Sequence, residues 1–496
     1  MLTAAGGRLP VSVPGLRLGA LRLDDQVSNP SVSDPPSGRR GLERADLWDA
    51  AAVVGIGCLV AAAVIVGRRW QLANVSEILA GVPPLQGKWL PRWTSGGFFA
   101  VAVALLVVVL GPPVARRIRG WALPWVTWVA AAGWLVAVAA IDPWQTAFAD
   151  RLTTRYDYLA ALPIVDDWSD LLGGFTQRIP IDAAQAWPTH VAGHPPGVLA
   201  PFVALDRLGL EGPGPAAVFL VLVGASAAAG LVVAANALAG RDAGRRLAPF
   251  AALMPGAIWI AVSGDALIMA TTTWAVALVA VASGSGPGSR ASTAWGLGGG
   301  LLLGVGLYLS YGMVLMLGVT AAVLLTKGTW RAFLAVAAGV LVVVTAVTVA
   351  GFSWWEGYHL VVERYYQGVA GERRYAYWVW ANVAAFALAV GPAAVVGVRR
   401  SFAGLRQSVG LGELRSATWW RDPQNTVAIV VAAAIGALLI ATLGGLSKGE
   451  VERIWLPFAP WLLLAAVAIP EHRVRWWLAL QAALVLAVQH LVLTPW

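Results

Sequence analysis

The residues best suited to catalysis lie in a polar segment at positions 142–213, which interrupts a strongly apolar sequence. Within ADRLTTRYDYLAAL this segment carries two aspartates, Asp150 and Asp157, seven positions apart, and Tyr156 and Tyr158 flank the second. A carboxylate can act as the general base for an acceptor hydroxyl, and aromatic faces commonly pack on sugar rings. Seven residues make about two helical turns, so the spacing predicts both carboxylates on one helix face. An acidic, solvated helix face is the alternative.

Two histidines of the same segment, His190 and His194, have the i and i+4 spacing of a metal-binding pair. That spacing requires a helix, but Pro195 and Pro196 follow directly, and a residue before proline is disfavoured in the helical region. We therefore predict no zinc site here, and the sequence leaves a divalent metal ion open as a cofactor. A rigid corner formed by HPPG is the favoured interpretation, with His194 able to hydrogen-bond a phosphate or a sugar.

Cations occur in two later polar segments, at positions 351–378 and 445–453. Arginine binds phosphate oxygens bidentately, so cations at a membrane surface suit a lipid-linked phosphate leaving group. Arg453 is the strongest candidate because it directly precedes an apolar run. Snorkelling or mutual ion pairing is the alternative. The predicted phosphate-binding residues are Arg453, Arg373, Arg374 and His194.

A further aspartate, Asp265, lies in a Ser-Gly-Asp sequence between two apolar runs. An ionisable group at membrane depth is costly and is a functional candidate for that reason. The alternative is that Asp265 caps the following helix. Together with its neighbours in the polar segments it completes the predicted substrate-binding set, which is Tyr156, Tyr158, Asp265 and Glu452.

The composition that must position these residues is that of a polytopic membrane protein. The chain has 496 residues, of which 58% are hydrophobic and 12% charged, and its mean hydropathy is +0.70. Its net charge of +9 comes from short clusters of Lys and Arg between apolar runs, which indicates membrane orientation and no nucleic-acid partner. Cys58 stands alone, which excludes an intramolecular disulfide.

The apolar runs predict an all-α fold with about thirteen transmembrane helices and a long outer loop bearing juxtamembrane helices. Placing the basic turns in the cytoplasm puts the three polar segments on the outer side, provided that the apolar piece after His194 does not cross. The predicted segments are a disordered cytoplasmic tail at 1–46, three transmembrane helices at 47–141, an outer catalytic loop at 142–213, transmembrane helices at 214–350, a second outer loop at 351–378 and transmembrane helices at 379–496.

Short motifs in this order resemble the GT-C superfamily of membrane glycosyltransferases, especially the protein O-mannosyltransferase and lipid A aminoarabinose transferase branch. The matching positions are Arg155, Tyr156, Leu159 and Ala160, then His194, Pro195 and Pro196, then Asp265 after Ser-Gly, and finally Glu452, Arg453, Leu456 and Pro457. The resemblance covers roughly residues 120–470. Gly197 stands where the family usually has Leu, and two extra spans precede the family's first.

The resemblance implies an enzyme that moves a sugar from a polyprenyl-phosphate donor to a hydroxyl of a glycan, lipid or protein, with inversion at the anomeric carbon. It implies that Asp157 or Asp150 is the base and that Arg453 binds the phosphate. The expected location is the plasma membrane of a bacterium, in contact with membrane lipids and with the active site outside. A transporter or lipid flippase is the alternative function, and a binding scaffold is a third.

Overall fold

The computed structural model describes residues 43–73, 78–286, 289–409 and 416–495. The chain divides into a unit of residues 1–44 and a unit of residues 45–496, and the fold is that of the second unit. The disordered tail predicted at 1–46 lies outside the described residues as far as position 42. Its last residues are instead helical, because the first helix begins at Arg44.

The described chain is nearly all helical. Its α-helices, in chain order, are α1 Arg44–Leu72, α2 Ser95–Arg117, α3 Leu123–Ala139, α4 Asp150–Leu152, α5 Trp168–Gly173, α6 Thr189–Ala192, α7 Ala200–Arg207, α8 Pro213–Ala239, α9 Arg241–Ala252, α10 Ala257–Ile260, α11 Gly264–Gly284, α12 Arg290–Leu309, α13 Met316–Lys327, α14 Trp330–Val349, α15 Trp354–Gln367, α16 Val369–Glu372, α17 Tyr375–Ser408, α18 Ala417–Arg421, α19 Pro423–Leu443, α20 Val451–Ile454, α21 Ala459–Leu463 and α22 Val474–Leu491.

Shorter elements link these helices. Two strands of two residues, β1 (Lys88–Trp89) and β2 (Val492–Leu493), pair antiparallel with Lys88 opposite Leu493. The loop after α3 contains a π-helix at Gln145–Ala149. The 3-10 helices are Tyr158–Ile164, Thr176–Arg178, Pro196–Val198, Tyr311–Leu315, Leu456–Phe458, Leu464–Ala468 and Glu471–Arg473.

Nine helices of the described residues are long and apolar enough to cross a membrane: α1, α2, α8, α11, α12, α14, α17, α19 and the helical stretch Glu471–Leu491 that contains α22. Three shorter apolar helices accompany them, at Leu123–Ala139, Tyr311–Lys327 and Leu456–Ala468. A bilayer span needs about twenty apolar residues, so the protein is a polytopic membrane protein. The interfacial piece predicted after His194 is α7, whose eight residues are too few to cross.

One predicted span, at 247–262, is not a continuous helix. Its residues are divided between α9 and α10, and Pro255 lies in the break. Proline interrupts the helix because it has no amide proton, and the last carbonyl groups of any helix have no helical partner. The buried side chain of Gln481 in α22 supplies hydrogen-bond donors in place of helical amides. Its Nε2 donates to the carbonyl oxygens of Phe250 at 3.2 Å and Leu253 at 2.8 Å.

Side-chain caps fix where several of these helices begin. Ser263, Ser289, Thr329 and Ser353 each accept a hydrogen bond from a backbone amide in the first turn of the next helix. Such caps satisfy amide protons that have no helical partner. Asp422 caps α19 in the same way. The bundle therefore has defined helix ends, and it is at these ends that the polar segments are attached.

A contact between loops brings the first two polar segments together. Arg364 of α15 donates from Nη1 to the carbonyl oxygen of Ile179 at 2.5 Å and from Nη2 to that of Trp187 at 2.9 Å. Arginine can bridge two carbonyl groups because its guanidinium presents several donors in a fixed plane. The segments 142–213 and 351–378 are consequently packed against each other.

A separate cluster of charges holds α1 to the rest of the bundle. Asp49 is fully buried and accepts from Nε of Arg399 and from Nε of Arg400, both at 2.6 Å. Asp46, one turn earlier, accepts from Arg473 at 2.6 Å. A buried carboxylate needs paired cations, so this cluster is a structural anchor for the first span.

Glycines allow α12 to pack closely on its neighbours, as the small-residue sequence GLGGGLLLG at 296–304 predicts. A methyl group added at Gly300 would fall on the carbonyl oxygen of Val336 in α14, and one added at Gly304 would lie 2.8 Å from Cβ of Val343. The backbones of α12 and α14 therefore meet with no room for a side chain between them.

We expect Gly300→Ala to destabilise the protein by about 1–3 kcal/mol, because the new methyl group overlaps the α14 backbone and forces the helices apart. Gly298→Ala is the matched control on the same helix, since its nearest contact would be an ordinary 3.5 Å to Leu278 Cδ1. Thermal unfolding of the purified proteins in detergent measures both. Equal midpoints for the two variants would contradict the close packing.

Candidate functional site

A network of ionisable side chains joins four separate parts of the chain around Arg453. Asp157 and His190 come from the first polar segment, Asp265 from the start of α11, Arg373 from the second polar segment, and Glu450 and Arg453 from the turn that contains α20. We call these six residues the Arg453 network. All of them lie where helices begin or end, which is how side chains so far apart in sequence are brought to one place.

Arg453 is the centre of the network. Its Nη1 donates to Asp265 Oδ2 at 2.8 Å and its Nη2 donates to Glu450 Oε2 at 2.9 Å. Its side chain is only 9% exposed. Burial opposes the charge, but the Asp265 and Glu450 carboxylates outweigh that effect and raise the pKa of Arg453. The guanidinium is thus a permanent buried cation between two anions.

Asp265 reaches Arg453 from the first turn of α11. Ser263 is the helix cap, since its Oγ accepts from the Asp265 amide at 3.1 Å and donates to Asp265 Oδ2 at 2.7 Å. The alternative interpretation, that Asp265 itself caps the helix, is therefore wrong. A negative charge at a helix N-terminus also interacts favourably with the helix dipole. The Ser-Gly-Asp sequence thus places one ionised carboxylate against the buried guanidinium.

His190 connects Arg453 to Asp157. Arg453 Nη2 lies 3.4 Å from His190 Nε2, and His190 Nδ1 lies 3.5 Å from Asp157 Oδ2. An arginine can only donate, so Nε2 accepts and the ring proton is on Nδ1, facing the carboxylate. Asp157 Oδ1 accepts from the Tyr158 amide at 2.8 Å. The two side chains are 21% and 12% exposed, so the network is open to solvent at His190.

The prediction that one helix places Asp150 and Asp157 on the same face is wrong. The helix containing Asp150 ends at Leu152, and Asp157 instead caps the 3-10 helix Tyr158–Ile164. Aspartate competes for nearby backbone amides and so favours helix starts over helix interiors. Asp150 is exposed and its Oδ1 accepts from Gln145 Nε2 at 2.6 Å. Of the two predicted bases, the structure brings only Asp157 to Arg453.

The two predicted phosphate-binding arginines of the second polar segment point in different directions. Arg373 donates from Nη2 to Glu450 Oε1 at 2.7 Å and from Nη1 to the Lys448 carbonyl oxygen at 2.7 Å. The Arg374 guanidinium lies over the Trp70 ring, 4.9 Å from its centroid. Both residues have extended backbone, in which consecutive side chains alternate sides. Arg373 is therefore a member of the network, whereas Arg374 contacts Trp70.

The turn that carries Glu450 has an unusual backbone. Glu450 has φ 60° and Gly449 has φ 82°, and a left-handed residue other than glycine costs about 1 kcal/mol. A side chain at Gly449 would meet Arg373 Nη1 at 3.0 Å. Asn382 holds this turn, donating to the Ser447 carbonyl oxygen at 2.6 Å and accepting from the Gly449 amide at 3.0 Å. The Glu450 carboxylate is thereby directed at two arginines.

Tyr158, predicted to bind substrate, is buried, and His194, predicted to bind phosphate, is half-buried. The Tyr158 ring stacks on Phe202 at 5.0 Å between centroids and 4° between planes, and burial raises the pKa of its hydroxyl. Burial also lowers the pKa of His194 to about 4, so His194 is neutral near pH 7 and brings no charge to a phosphate. A methyl group at Gly197 would fall on the carbonyl oxygen of Tyr308, which explains why glycine follows the two prolines.

Tyr156 remains accessible. Its side chain is exposed, and the Arg155 guanidinium lies 4.7 Å from its ring centroid and donates to its hydroxyl. The carbonyl oxygen of Tyr156 accepts from the His190 amide at 2.9 Å. Of the two predicted aromatic residues, Tyr156 therefore lies beside the open end of the network.

Glu452, also predicted to bind substrate, is fully buried beside the network. Its Oε1 accepts from the Gln86 amide at 3.4 Å, and its Oε2 has no hydrogen-bond partner among the described residues. Burial, with a smaller contribution from the charge of Glu450, raises the pKa of this carboxyl to about 7. Glu452 therefore lies in the interior of the fold, beside the network.

Sequence reasoning missed two members of the network. Glu450 was one acid among several in its turn, and its position follows only from the left-handed backbone after Gly449. His190 was considered only as half of a metal pair. Among the residues that the structure describes, no three His, Cys, Asp or Glu side chains are grouped so as to hold a metal ion.

Comparison with protein-family models gives no match, and no curated protein matches the sequence. Two solved structures from Archaeoglobus fulgidus show distant similarity. One is an oligosaccharyltransferase in complex with Zn and sulfate, with TM-score 0.44, 14% identity, and coverage of 74% of this chain and 53% of that one. The other is the oligosaccharyltransferase AglB with an inhibitory peptide and a dolichol-phosphate, with TM-score 0.41, 12% identity, and coverage of 71% and 50%. This chain spans about half the length of both, and such scores are too low to establish a common fold.

We expect the stability of the protein to fall as the pH rises from about 5 to about 7, and Glu452→Gln to remove part of that fall. The folded carboxyl keeps its proton up to a pKa of about 7, whereas its ordinary value is 4.5. Between these values the folded state binds one proton more than the unfolded state, so rising pH favours unfolding. The difference should be on the order of 1–3 kcal/mol above pH 7.

Thermal unfolding between pH 5 and pH 8 measures this difference. Glu363→Gln is the matched control, because Glu363 is an exposed carboxylate of α15 whose Oε1 accepts a 3.5 Å bond from Gln367. The gap in unfolding temperature between Glu452→Gln and the native protein should widen with pH. If the unfolding temperatures of the two proteins instead changed in parallel with pH, Glu452 would be ionised in the folded protein at neutral pH.

Proposed function

We propose that this protein is a membrane glycosyltransferase of the GT-C type, which transfers a sugar from a polyprenyl-phosphate donor to an acceptor hydroxyl. The observation that carries the proposal is the Arg453 network itself. It holds a carboxylate, Asp157, and a buried guanidinium, Arg453, on the two sides of one imidazole ring. A base for the acceptor and a cation for the leaving phosphate are the two groups that this transfer needs.

The reaction proceeds by one displacement. The acceptor hydroxyl loses its proton to Asp157 as its oxygen attacks the anomeric carbon, and the bond from that carbon to the phosphate oxygen breaks. Polyprenyl phosphate leaves with one additional negative charge. His190 keeps Asp157 oriented by presenting its Nδ1 proton to the carboxylate. Because attack and departure take place on opposite faces, the anomeric configuration is inverted, as the family resemblance implies.

The leaving phosphate is bound by arginine. Arg453 and Arg373 lie on the two sides of the Glu450 carboxylate, at 2.9 Å and 2.7 Å, so a phosphate near this position meets two guanidinium groups. Their charge offsets the charge that develops as the phosphate departs. Arg374 has no part in this proposal because its guanidinium is stacked on Trp70. His194 is left out because it is neutral, and Glu452 is left out because it is buried.

The wider setting follows the sequence. We propose about thirteen crossings, with the site on the outer side of a bacterial plasma membrane, the side that the basic turns predict for the polar segments. The polyprenyl tail lies between spans, and the acceptor, whether glycan, lipid or protein, enters beside Tyr156. Asp157 is the base in place of Asp150. A divalent metal ion stays open as a cofactor, and no step above requires one.

We expect Asp157→Asn to reduce sugar transfer by about 100-fold or more, because the amide cannot accept the acceptor proton. Asp150→Asn is the matched control and should change the rate by no more than a few-fold. The assay supplies the protein in nanodiscs with polyprenyl-monophosphate hexose and pentose donors, and measures released polyprenyl phosphate. Both variants should fold normally, as judged by thermal unfolding.

Two results would contradict this assignment. If the two variants lost activity equally, Asp157 would not be the base. If no donor were cleaved, while the protein moved intact lipid-linked sugars across a vesicle membrane, the protein would be a flippase and the transferase proposal would fail.

A further inference from the structure

The Glu450 carboxylate occupies a position that suits an incoming anion. Its Oε1 accepts from Arg373 Nη2 at 2.7 Å and its Oε2 accepts from Arg453 Nη2 at 2.9 Å. One carboxylate thus joins two arginines that come from different polar segments. A phosphate group has the same charge sign and can present two oxygens in the same way. The protein carries its own anion where two cations converge.

Charge balance prevents the Glu450 carboxylate and a phosphate from occupying that position together. Arg453 already pairs with Asp265, and the side chains of Arg373 and Arg453 are only 6% and 9% exposed. Adding a phosphate while Glu450 stayed in place would bring three anions against two largely desolvated cations. Like charges held together in a water-poor site repel strongly. A phosphate that binds both arginines must therefore displace the Glu450 side chain.

The local backbone permits that displacement without unfolding. The Glu450 carbonyl oxygen accepts from the amides of Arg453 and Ile454, both at 3.1 Å, and so caps α20 independently of the side chain. The side chain is 19% exposed, which leaves it an outlet toward solvent. Its left-handed backbone is maintained by neighbouring contacts and is disfavoured for a glutamate. The cap can therefore persist while the carboxylate leaves.

We propose that Glu450 is an internal competitor of the donor phosphate. Its carboxylate binds both Arg373 and Arg453 when no donor is bound, and it rotates away when a polyprenyl phosphate binds. The proposal rests on the proposed function and deepens it by naming the position of the phosphate. Glu450 is a positioning residue that keeps both arginines aligned between turnovers. It also weakens donor binding, because the donor phosphate must displace a carboxylate that belongs to the protein.

The test measures binding of undecaprenyl monophosphate to the protein in nanodiscs, by native mass spectrometry. Glu450→Gln keeps the shape of the side chain and removes its charge, so we expect a dissociation constant lower by about tenfold or more, as the binding-competent fraction rises. Glu363→Gln removes an exposed charge of α15 in the second polar segment and should leave the constant unchanged.

A second measurement separates competition from a merely structural role. Without phosphate, Glu450→Gln should unfold at a lower temperature than the native protein, because two buried cations lose a partner. Inorganic phosphate should raise its unfolding temperature more than that of the native protein. A structural residue would lower stability without any gain in phosphate response. Glu450→Gly, which suits the left-handed backbone, replaces the glutamine variant if that one does not fold.

The outcomes distinguish this inference from the function on which it rests. If the native protein binds undecaprenyl monophosphate and the Glu450 variants bind it equally or more weakly, the competitor role is overturned and the transferase proposal stands. If neither the native protein nor the folded variants bind the lipid, the proposed function itself fails.

Discussion

A buried guanidinium, that of Arg453, imposes the constraint on which the site depends. A charge so far removed from water must be paired, and removing one partner of such a pair typically costs about 3–5 kcal/mol. The partners of Arg453 come from the start of α11, from its own turn and, through His190, from the first polar segment. Pairing the charge therefore also fixes three distant parts of the chain against one another.

The helical bundle contributes rigid ends for that pairing. Ser263 fixes the first turn of α11, Asn382 in α17 holds the turn before α20, and Arg364 joins the second polar segment to the first. Each is a short-range interaction that leaves little freedom to a loop. The polar segments are thus attached to helix termini at several points, and the site has the precision of the helices although its residues belong to loops.

The amino-acid sequence predicts most of the apolar spans, and it predicts the geometry of the site only in part. Hydrophobic runs identify the spans because a bilayer imposes a length and an apolar composition, and they fail at 247–262, where a proline divides the run. Asp265 and Arg453 were identifiable as costly charges beside apolar segments. Glu450, His190 and the divergence of Arg373 from Arg374 were not, because they depend on left-handed or extended backbone and on contacts between segments hundreds of residues apart.

The break between α9 and α10 bears on how the bundle can move. Interrupted helices are common in transporters, where the freed carbonyl groups usually line a watery passage and coordinate cargo. In this protein Gln481 supplies the missing donors at that point, and Gly391, where α17 bends, packs against Pro255 of the same break. Three spans are thereby joined at one buried seam. A rocking motion that separated these spans would have to break these contacts and expose the Gln481 side-chain amide.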